Sequence, residues 1–319
     1  MFTNNMAARM KMFRQPIQRL VMGNLHKNCG HPERLNRCWK LCSQQARPLT
    51  SVPNSDKQYT VVTEKDGIRK IHLNDPKKRN ALSLAMLQSL KRDLLHKSAD
   101  QELRVIILSA EGPVFSSGHD LKELTSATGR EFHRKVFDAC TEVMLLLQEI
   151  HVPVIAQVAG LATAAGCQLV ASCDIAVASE KARFGTPGAK VGLFCSTPGV
   201  ALGRAVPRKV AMEMLFTGDT ISAQDALQHG LISKIVPEDK LEEETQNVAR
   251  KICEYSSSVI ALGKSCFYSQ MRRSREDAYR EASQVMIDNL SLKDGQEGIH
   301  AFIKKGHPTW SHSWDKAHD

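Results

Sequence analysis

The sequence predicts a mixed α/β fold, and three stretches carry that prediction. The first is Pro153 to Ala178, PVIAQVAGLATAAGCQLVASCDIAVA, around which the chain is organised. Val154, Ile155 and Val158 suit a buried strand. Gly160, Ala162, Thr163, Ala164, Ala165 and Gly166 then form a loop with almost no side-chain bulk, a helix begins, and a second apolar strand follows. The second stretch is Phe115 to Leu124, FSSGHDLKEL, which follows the apolar strand Val105 to Leu108 and leads into a polar helix start. The third is Arg130 to Ile150, where Phe132, Val136, Ala139, Val143, Leu146, Leu147 and Ile150 recur at three and four, the spacing of an amphipathic helix.

The remaining elements fall in order around these. YTVVTEKDGIRKIHLN reads as a β-hairpin: Asp66-Gly67 makes the turn, and Val61, Val62, Ile68 and Ile71 occupy apolar strand positions. Asn74-Asp75-Pro76 ends the second strand. A helix runs from Ser83 to about Lys97, with Ser83 as N-cap and Leu84, Leu87, Leu90 and Leu94 at helical spacing. Arg104 to Ser109 is a buried strand. Arg183 to Gly188 and Gly192 to Gly199 read as loops over a pocket. Helices follow at Pro207 to Phe216, Ser222 to Gln228 and Pro237 to about Tyr255, with a short strand at Ile232 to Val236 and three more helices to the end. Ser222-Ala223-Gln224-Asp225 resembles a capping box with Asp in place of Glu or Gln. His133 and His151, which border the long helix, read as surface or hydrogen-bonded structural residues.

Charge is unevenly spread. The 319 residues carry 43 Lys+Arg and 34 Asp+Glu, a net +9. Residues 1–55 hold nine of the bases and one acid, Glu33, leaving 34 basic and 33 acidic residues in the remainder. A near-neutral body gives no support to nucleic-acid binding. The Arg-rich, acid-poor leader with its amphipathic start, MKMFRQPIQRLVM, resembles a mitochondrial transit peptide; a disordered basic tail is the alternative. No apolar run reaches the ~18 residues needed to span a membrane. None of the nine cysteines lies in a CxxC pair, which suits a reduced compartment such as the matrix, and no ligand-spaced cluster points to a metal. The expected organisation is a leader over 1–55, a core over 56–255 and a helical region over 256–319.

The small-residue loops carry the chemistry. A helix that starts in a loop without side-chain bulk presents unpaired N–H groups and its positive end to a ligand lying against the backbone. Two N–H donors from two such loops can form an oxyanion hole, which stabilises charge developing on a carbonyl oxygen.

In order along the chain, FSSGHDLKEL, PVIAQVAGLATAAGCQLVASCDIAVAS, FGTP, TGDTISAQDALQHGLISKIV and EGIHAFIKK resemble the crotonase (enoyl-CoA hydratase/isomerase) superfamily, from about Asp56 to the C-terminus. The resemblance implies a spiral of ββα turns with two nearly perpendicular sheets. It further implies C-terminal helices that pack in a trimer, often a dimer of trimers. It implies an acyl-CoA thioester as ligand, with coenzyme A as part of the substrate and no separate cofactor. By motif position, the backbone N–H groups of His119 and Ala165 hold the thioester oxygen. Arg79, Ala81, Ser117, Asp120 and Leu121 border the coenzyme A. Lys305 can reach its phosphates from a neighbouring subunit, or is simply a solvated lysine at a helix end.

The resemblance also exposes a departure. Hydratases of the superfamily use two glutamates, one to activate water and one to deliver a proton to the α-carbon. Gln168 and Gly188 stand at those positions. An amide positions water but takes up no proton at neutral pH, and glycine offers only backbone. Each general acid–base term is worth about 10²–10⁴ in rate, so efficient hydration by the usual route is not expected. Asp120 is expected to shape its loop and Asp174 to open a strand. The His119 side chain can exchange a proton only if it turns inward. Cys195 and Ser196 are candidate nucleophiles with no His–Asp pair placed beside them. Three readings follow: an acyl-CoA enzyme of mitochondrial fatty-acid metabolism with decarboxylase or thioesterase chemistry, a non-catalytic acyl-CoA-binding subunit, or a slow hydratase.

Overall fold

The computed structural model describes residues 57–98 and 100–318. The expected leader over 1–55 lies outside the described residues. Lys57–Asp319 forms one compact unit.

Three ββα units, laid side by side, dominate it. Strand β1 (Thr60–Lys65) and β2 (Ile68–Leu73) form the antiparallel hairpin across Asp66-Gly67, and helix α1 (Leu84–Leu95) follows. The Ser83 hydroxyl caps α1 by accepting the Met86 N–H. The units are then β3 (Val105–Ala110), β4 (Val114–Ser116) and α2 (Arg130–Glu149); β5 (Val154–Val158), β6 (Leu161–Thr163) and α3 (Ala165–Ser172); and β7 (Ile175–Ser179), β8 (Arg183–Gly185) and α4 (Ser196–Ala205). Helix α5 (Arg208–Thr217), β9 (Thr220–Ser222), α6 (Ala223–Gln228), β10 (Lys234–Val236) and α7 (Leu241–Cys253) complete the core. Helices α8 (Ser257–Gln270), α9 (Arg275–Ser291) and α10 (Lys293–Ile303) close the chain.

The first strand of each unit joins one sheet and the second strand another. The six-stranded sheet has the order β1-β2-β3-β5-β7-β10, and the four-stranded sheet β4-β6-β8-β9. Neighbours β3, β5 and β7 are parallel, as are β4, β6 and β8. Alternate residues of the large sheet enter two cores, because side chains alternate across a strand. Ile71, Leu73, Ile106, Leu108, Val154, Ala156 and Ala178 face the main core with α1 and α2. Ile68, Val105, Ile107, Ile155 and Val177 face α7 through Leu241 and Ala249. Both faces are covered, which is why these parallel strands read as unbroken apolar runs.

The structure corrects four sequence expectations. The small-residue loop after β5 contains a strand, β6. The segment Arg183–Gly185 is β8, not loop. Ser196–Gly199 is the first turn of α4, where Pro198 fits because a first-turn residue has no intrahelical N–H bond to lose. Val62, expected at an apolar strand position, is exposed on the edge strand β1. The capping box of α6 forms as expected between Ser222 and Asp225.

Asp174 carries a tether rather than chemistry. Its carboxylate accepts the Val154 N–H at 2.7 Å, the Lys264 ammonium at 2.7 Å and the Tyr268 hydroxyl at 2.8 Å. Lys264 also donates to the carbonyls of Leu147 and Val152, so α8 is pinned to the core.

Candidate functional site

The C-terminal ends of β4, β6 and β8 lie side by side, and the candidate residues hang from them. Registers Ser116↔Ala162 and Thr163↔Gly185 bring the loops 117–120, 164–165 and 186–188 to one edge of the small sheet. Gly118 is where the first two loops meet. Its φ is +86°, and a Cβ built on it falls 2.7 Å from the Ala164 Cβ and 3.1 Å from the Ala165 nitrogen. Only glycine lets the chains approach this closely. Ala164 pays for the same turn with φ 50°, ψ −120°, an unusual conformation for a residue with a Cβ.

Ala165 is the first residue of α3, so its N–H has no intrahelical acceptor. Among the described residues no group accepts the N–H of His119 or of Ala165. Two uncommitted donors from adjoining loops can hold an oxygen on which negative charge develops.

A second set of bonds locks the neighbouring backbone. Ser117 N–H donates to the Arg79 carbonyl at 3.0 Å, and Leu82 N–H to the Gly118 carbonyl at 2.8 Å. Asn80, fully buried with φ 50°, accepts the Asp75 N–H and donates to the carbonyls of Glu111 and Val114. Arg79, Ala81, Ser117, Asp120 and Leu121 are thereby brought together. Asp120 caps the 3-10 turn Leu121–Leu124 through the Lys122 N–H and meets Lys78 at 3.1 Å. Burial works to raise its pKa, but the bonds from Lys78 and Lys122 prevail and hold it below the usual carboxylate value. Leu121 is exposed. Among the described residues no hydrogen bond or ion pair joins Lys305 to this group; it lies just past α10, and its N–H bonds the Phe302 carbonyl.

Gln168 and Gly188 differ sharply in their surroundings. Gln168 is buried on α3, one turn beyond Ala164, and its Oε1 has no hydrogen-bond partner among the described residues. Gly188 is buried in the 3-10 turn Pro187–Val191, where a built Cβ falls on the Leu193 carbonyl oxygen and 2.7 Å from the Cys195 sulfur. The Leu193 N–H bonds the Gly188 carbonyl at 2.9 Å, which fixes that closure. The space beside Gly188 is therefore filled by backbone. Burial raises the thiol pKa of Cys195 and pushes that of Cys167 up to about 12, so neither is a ready nucleophile.

Sequence reasoning missed two features: the Leu193 carbonyl against Gly188, and the buried, unpartnered Thr186 Oγ1 beside the same loops. Neither had a signal in the sequence, because each depends on how a loop folds back.

A family model for enoyl-CoA hydratase/isomerase matches residues 63–313. The chain belongs to the enoyl-CoA hydratase/isomerase family. It is 64% identical over 267 residues to the Rattus norvegicus protein named enoyl-CoA hydratase domain-containing protein 3, mitochondrial, spanning 84% of this chain and 88% of the relative. It is 33% identical over 264 residues to the Pongo abelii enoyl-CoA hydratase, mitochondrial, spanning 81% and 89%. The crystal structure of human enoyl coenzyme A hydratase domain-containing protein 3 superimposes with a TM-score of 0.79 at 63% identity, over 79% of this chain and all of that one. The ββα units of this hydratase/isomerase family member are those of the crotonase fold.

Proposed function

We propose that this hydratase/isomerase family member binds acyl-CoA thioesters in the mitochondrial matrix, within fatty-acid metabolism, and is not an efficient hydratase by a two-carboxylate route. The thioester oxygen lies between the N–H groups of His119 and Ala165. Arg79, Ala81, Ser117, Asp120 and Leu121 border the coenzyme A. The observation that carries this reading is the junction at Gly118, where two uncommitted N–H groups adjoin while position 188 has no room for a side chain. An N–H pair alone stabilises an enolate or a tetrahedral oxyanion, so decarboxylation of a malonyl-type thioester or thioester hydrolysis needs less help than hydration. Relatives named mitochondrial and the basic leader support the location. The subunits assemble as a homotrimer or a dimer of trimers, through the apolar faces left exposed on α8, α9 and α10.

The test is a panel of enoyl-, 3-hydroxyacyl-, malonyl-type and saturated acyl-CoAs, incubated with the purified protein and followed by mass spectrometry and by direct binding. Ala165→Pro is the control, since proline suits the first position of a helix and replaces the N–H with a ring carbon that cannot donate. Binding of thioesters, with any turnover reduced about 10²–10³-fold in Ala165→Pro, is expected. Binding without turnover assigns a carrier or regulatory subunit. No binding in the wild type sinks the proposal.

A further inference from the structure

Of the side chains that could serve as a base around the two-loop junction, all but one are bonded or stay protonated. Asp120 is held by Lys78 and the Lys122 N–H. Glu123 accepts the Leu84 N–H at 2.8 Å. The thiols of Cys167 and Cys195 stay protonated at neutral pH. His119 is the exception.

Its ring stands edge-on to Phe137 of α2, with centroids 5.1 Å apart and planes at 71°, and its Nδ1 lies 3.2 Å from the Leu82 carbonyl oxygen. A carbonyl only accepts, so Nδ1 carries the proton. In the neutral ring Nε2 then keeps its lone pair. Nε2 is buried and has no partner among the described residues. Burial lowers the imidazole pKa and the Leu82 bond opposes this less strongly, so the ring is neutral near pH 7. A buried acceptor left empty is costly unless a ligand or water fills it.

The position matters as much as the lone pair. The ring belongs to the residue whose own uncommitted N–H adjoins the Gly118 junction, so Nε2 stands within one side-chain length of that N–H. Six buried side-chain nitrogens or oxygens among the described residues lack a hydrogen-bond partner, and three of them, His119 Nε2, Gln168 Oε1 and Thr186 Oγ1, hang from the adjacent ends of β4, β6 and β8. Helical side chains lean toward the N-terminus, so the Gln168 amide is directed back to the Ala165 end of α3.

We propose that the His119 imidazole is the general base of this site and takes a proton from the α-carbon of the bound acyl thioester. This rests on the reading that the site binds acyl-CoA. The Cα–H bond breaks and its proton moves to Nε2, giving an imidazolium. The electron pair becomes the C=C of an enolate whose charge rests on the thioester oxygen, held by the N–H groups of His119 and Ala165. Return of the proton from Nε2 to Cα restores the thioester, and no oxidant or second substrate is needed. Burial with only an amide nearby would leave a carboxylate at this place difficult to ionise, whereas an imidazole is neutral when ready to act.

The experiment is α-proton exchange. Butyryl-CoA is incubated with the full chain in D2O, and deuterium gain at Cα is read by mass spectrometry over a pH series, with butyryl-CoA affinity measured on the same samples. Two variants are compared: His119→Gln, whose amide N–H can still donate to Leu82, and His119→Phe, which keeps an aromatic contact with Phe137. The expected result is enzyme-dependent exchange in the wild type that falls at least ~100-fold in both variants. The wild-type rate should rise with pH to a plateau, with a midpoint below the ordinary histidine value. The other titratable groups around the ring are accounted for: Asp120, Lys78 and Glu123 are paired as above, and His133, one turn earlier on α2, meets the Thr125 carbonyl and the Thr128 hydroxyl. Exchange of wild-type size in His119→Gln, or tight binding with no exchange in the wild type, would overturn the proposal while leaving the binding reading intact. Should butyryl-CoA not bind at all, that reading fails first and takes this one with it. Because the wild-type pH profile needs no variant, a folding defect in either substitution leaves the proposal exposed to refutation.

Discussion

Gly188 and Ala164 show opposite responses to the absence or presence of a single Cβ. At Gly188 the Leu193 carbonyl oxygen and the Cys195 sulfur occupy the place a side chain would take. Gly188→Glu therefore forces the 188–195 loop apart, and we expect it to cost about 3 kcal/mol by denaturant titration, at the upper end of overpacking effects. Combining it with Gln168→Glu should yield no gain in enoyl-CoA hydration, because the new carboxylate arrives on a displaced loop. A hydration rate above that of Gln168→Glu alone would show that the loop yields. At Ala164 a Cβ is present where the backbone, at φ 50° and ψ −120°, disfavours one. Such strain is worth about 1–3 kcal/mol, against about 0.4–1 kcal/mol for the extra freedom glycine has when unfolded. Ala164→Gly should thus raise stability by about 1 kcal/mol, a rise of about 2–4 °C in the melting temperature. A fall would mean that the Cβ earns its place by packing against Gly118.

At the level of elements, the segment after α10 is held by one buried carboxylate. Asp294 accepts the Ser256 hydroxyl at 2.6 Å, the Ser311 N–H and hydroxyl at 2.8 and 2.7 Å, and the His312 N–H at 2.9 Å. Burial works to raise its pKa, and these four donors outweigh burial and lower it. A carboxylate whose folded pKa lies below its unfolded one stabilises the protein fully at neutral pH. That contribution is lost as pH falls below the ordinary aspartate range and through the folded value. Asp294→Asn should cost about 2 kcal/mol at pH 7, and its gap from the wild type should narrow on acidification. A gap independent of pH would assign the cost to packing instead. The same scale explains what was legible in the sequence. The helix Arg130–Glu149, the Asp66-Gly67 hairpin, the Ser83 cap and the Ser222–Asp225 box each follow from local spacing. The second sheet does not, since β4, β6, β8 and β9 have three residues each and are too short to show a period. Their pairing is set by the larger sheet beside them. The site was half legible for the same reason: small residues announced the loops that present His119 and Ala165, whereas the tautomer of His119 and the carbonyl beside Gly188 depend on loops closing in space.

For the molecule as a whole, the C-terminal helices look unfinished in a single chain. No residue of α9 is buried, and Phe302 is 85% and Ile303 70% exposed at the end of α10, with Tyr279, Met286 and Ile287 also open on α9. Apolar surface on this scale marks an interface, and a second and third copy of the chain are the occupants we propose. Sedimentation should then find a trimer or hexamer, and Phe302→Asp with Ile303→Asp should release monomers, because burying an unpaired carboxylate at such a contact is prohibitive. We propose that Lys305 connects assembly to the site. Among the described residues no hydrogen bond or ion pair joins it to Arg79, Ser117 or Asp120, so the role we propose for it is to serve a bound coenzyme A from a neighbouring subunit. Lys305→Ala should weaken acyl-CoA binding about fivefold in the assembled protein, with the effect shrinking at high salt. In the Phe302→Asp, Ile303→Asp background the same substitution should change affinity no further, since the coupling between the two sites is lost with the interface. If Lys305→Ala weakens binding equally in both backgrounds, the lysine acts within its own subunit. If it acts in neither, it is a solvated helix-end charge, and assembly and ligand binding are independent.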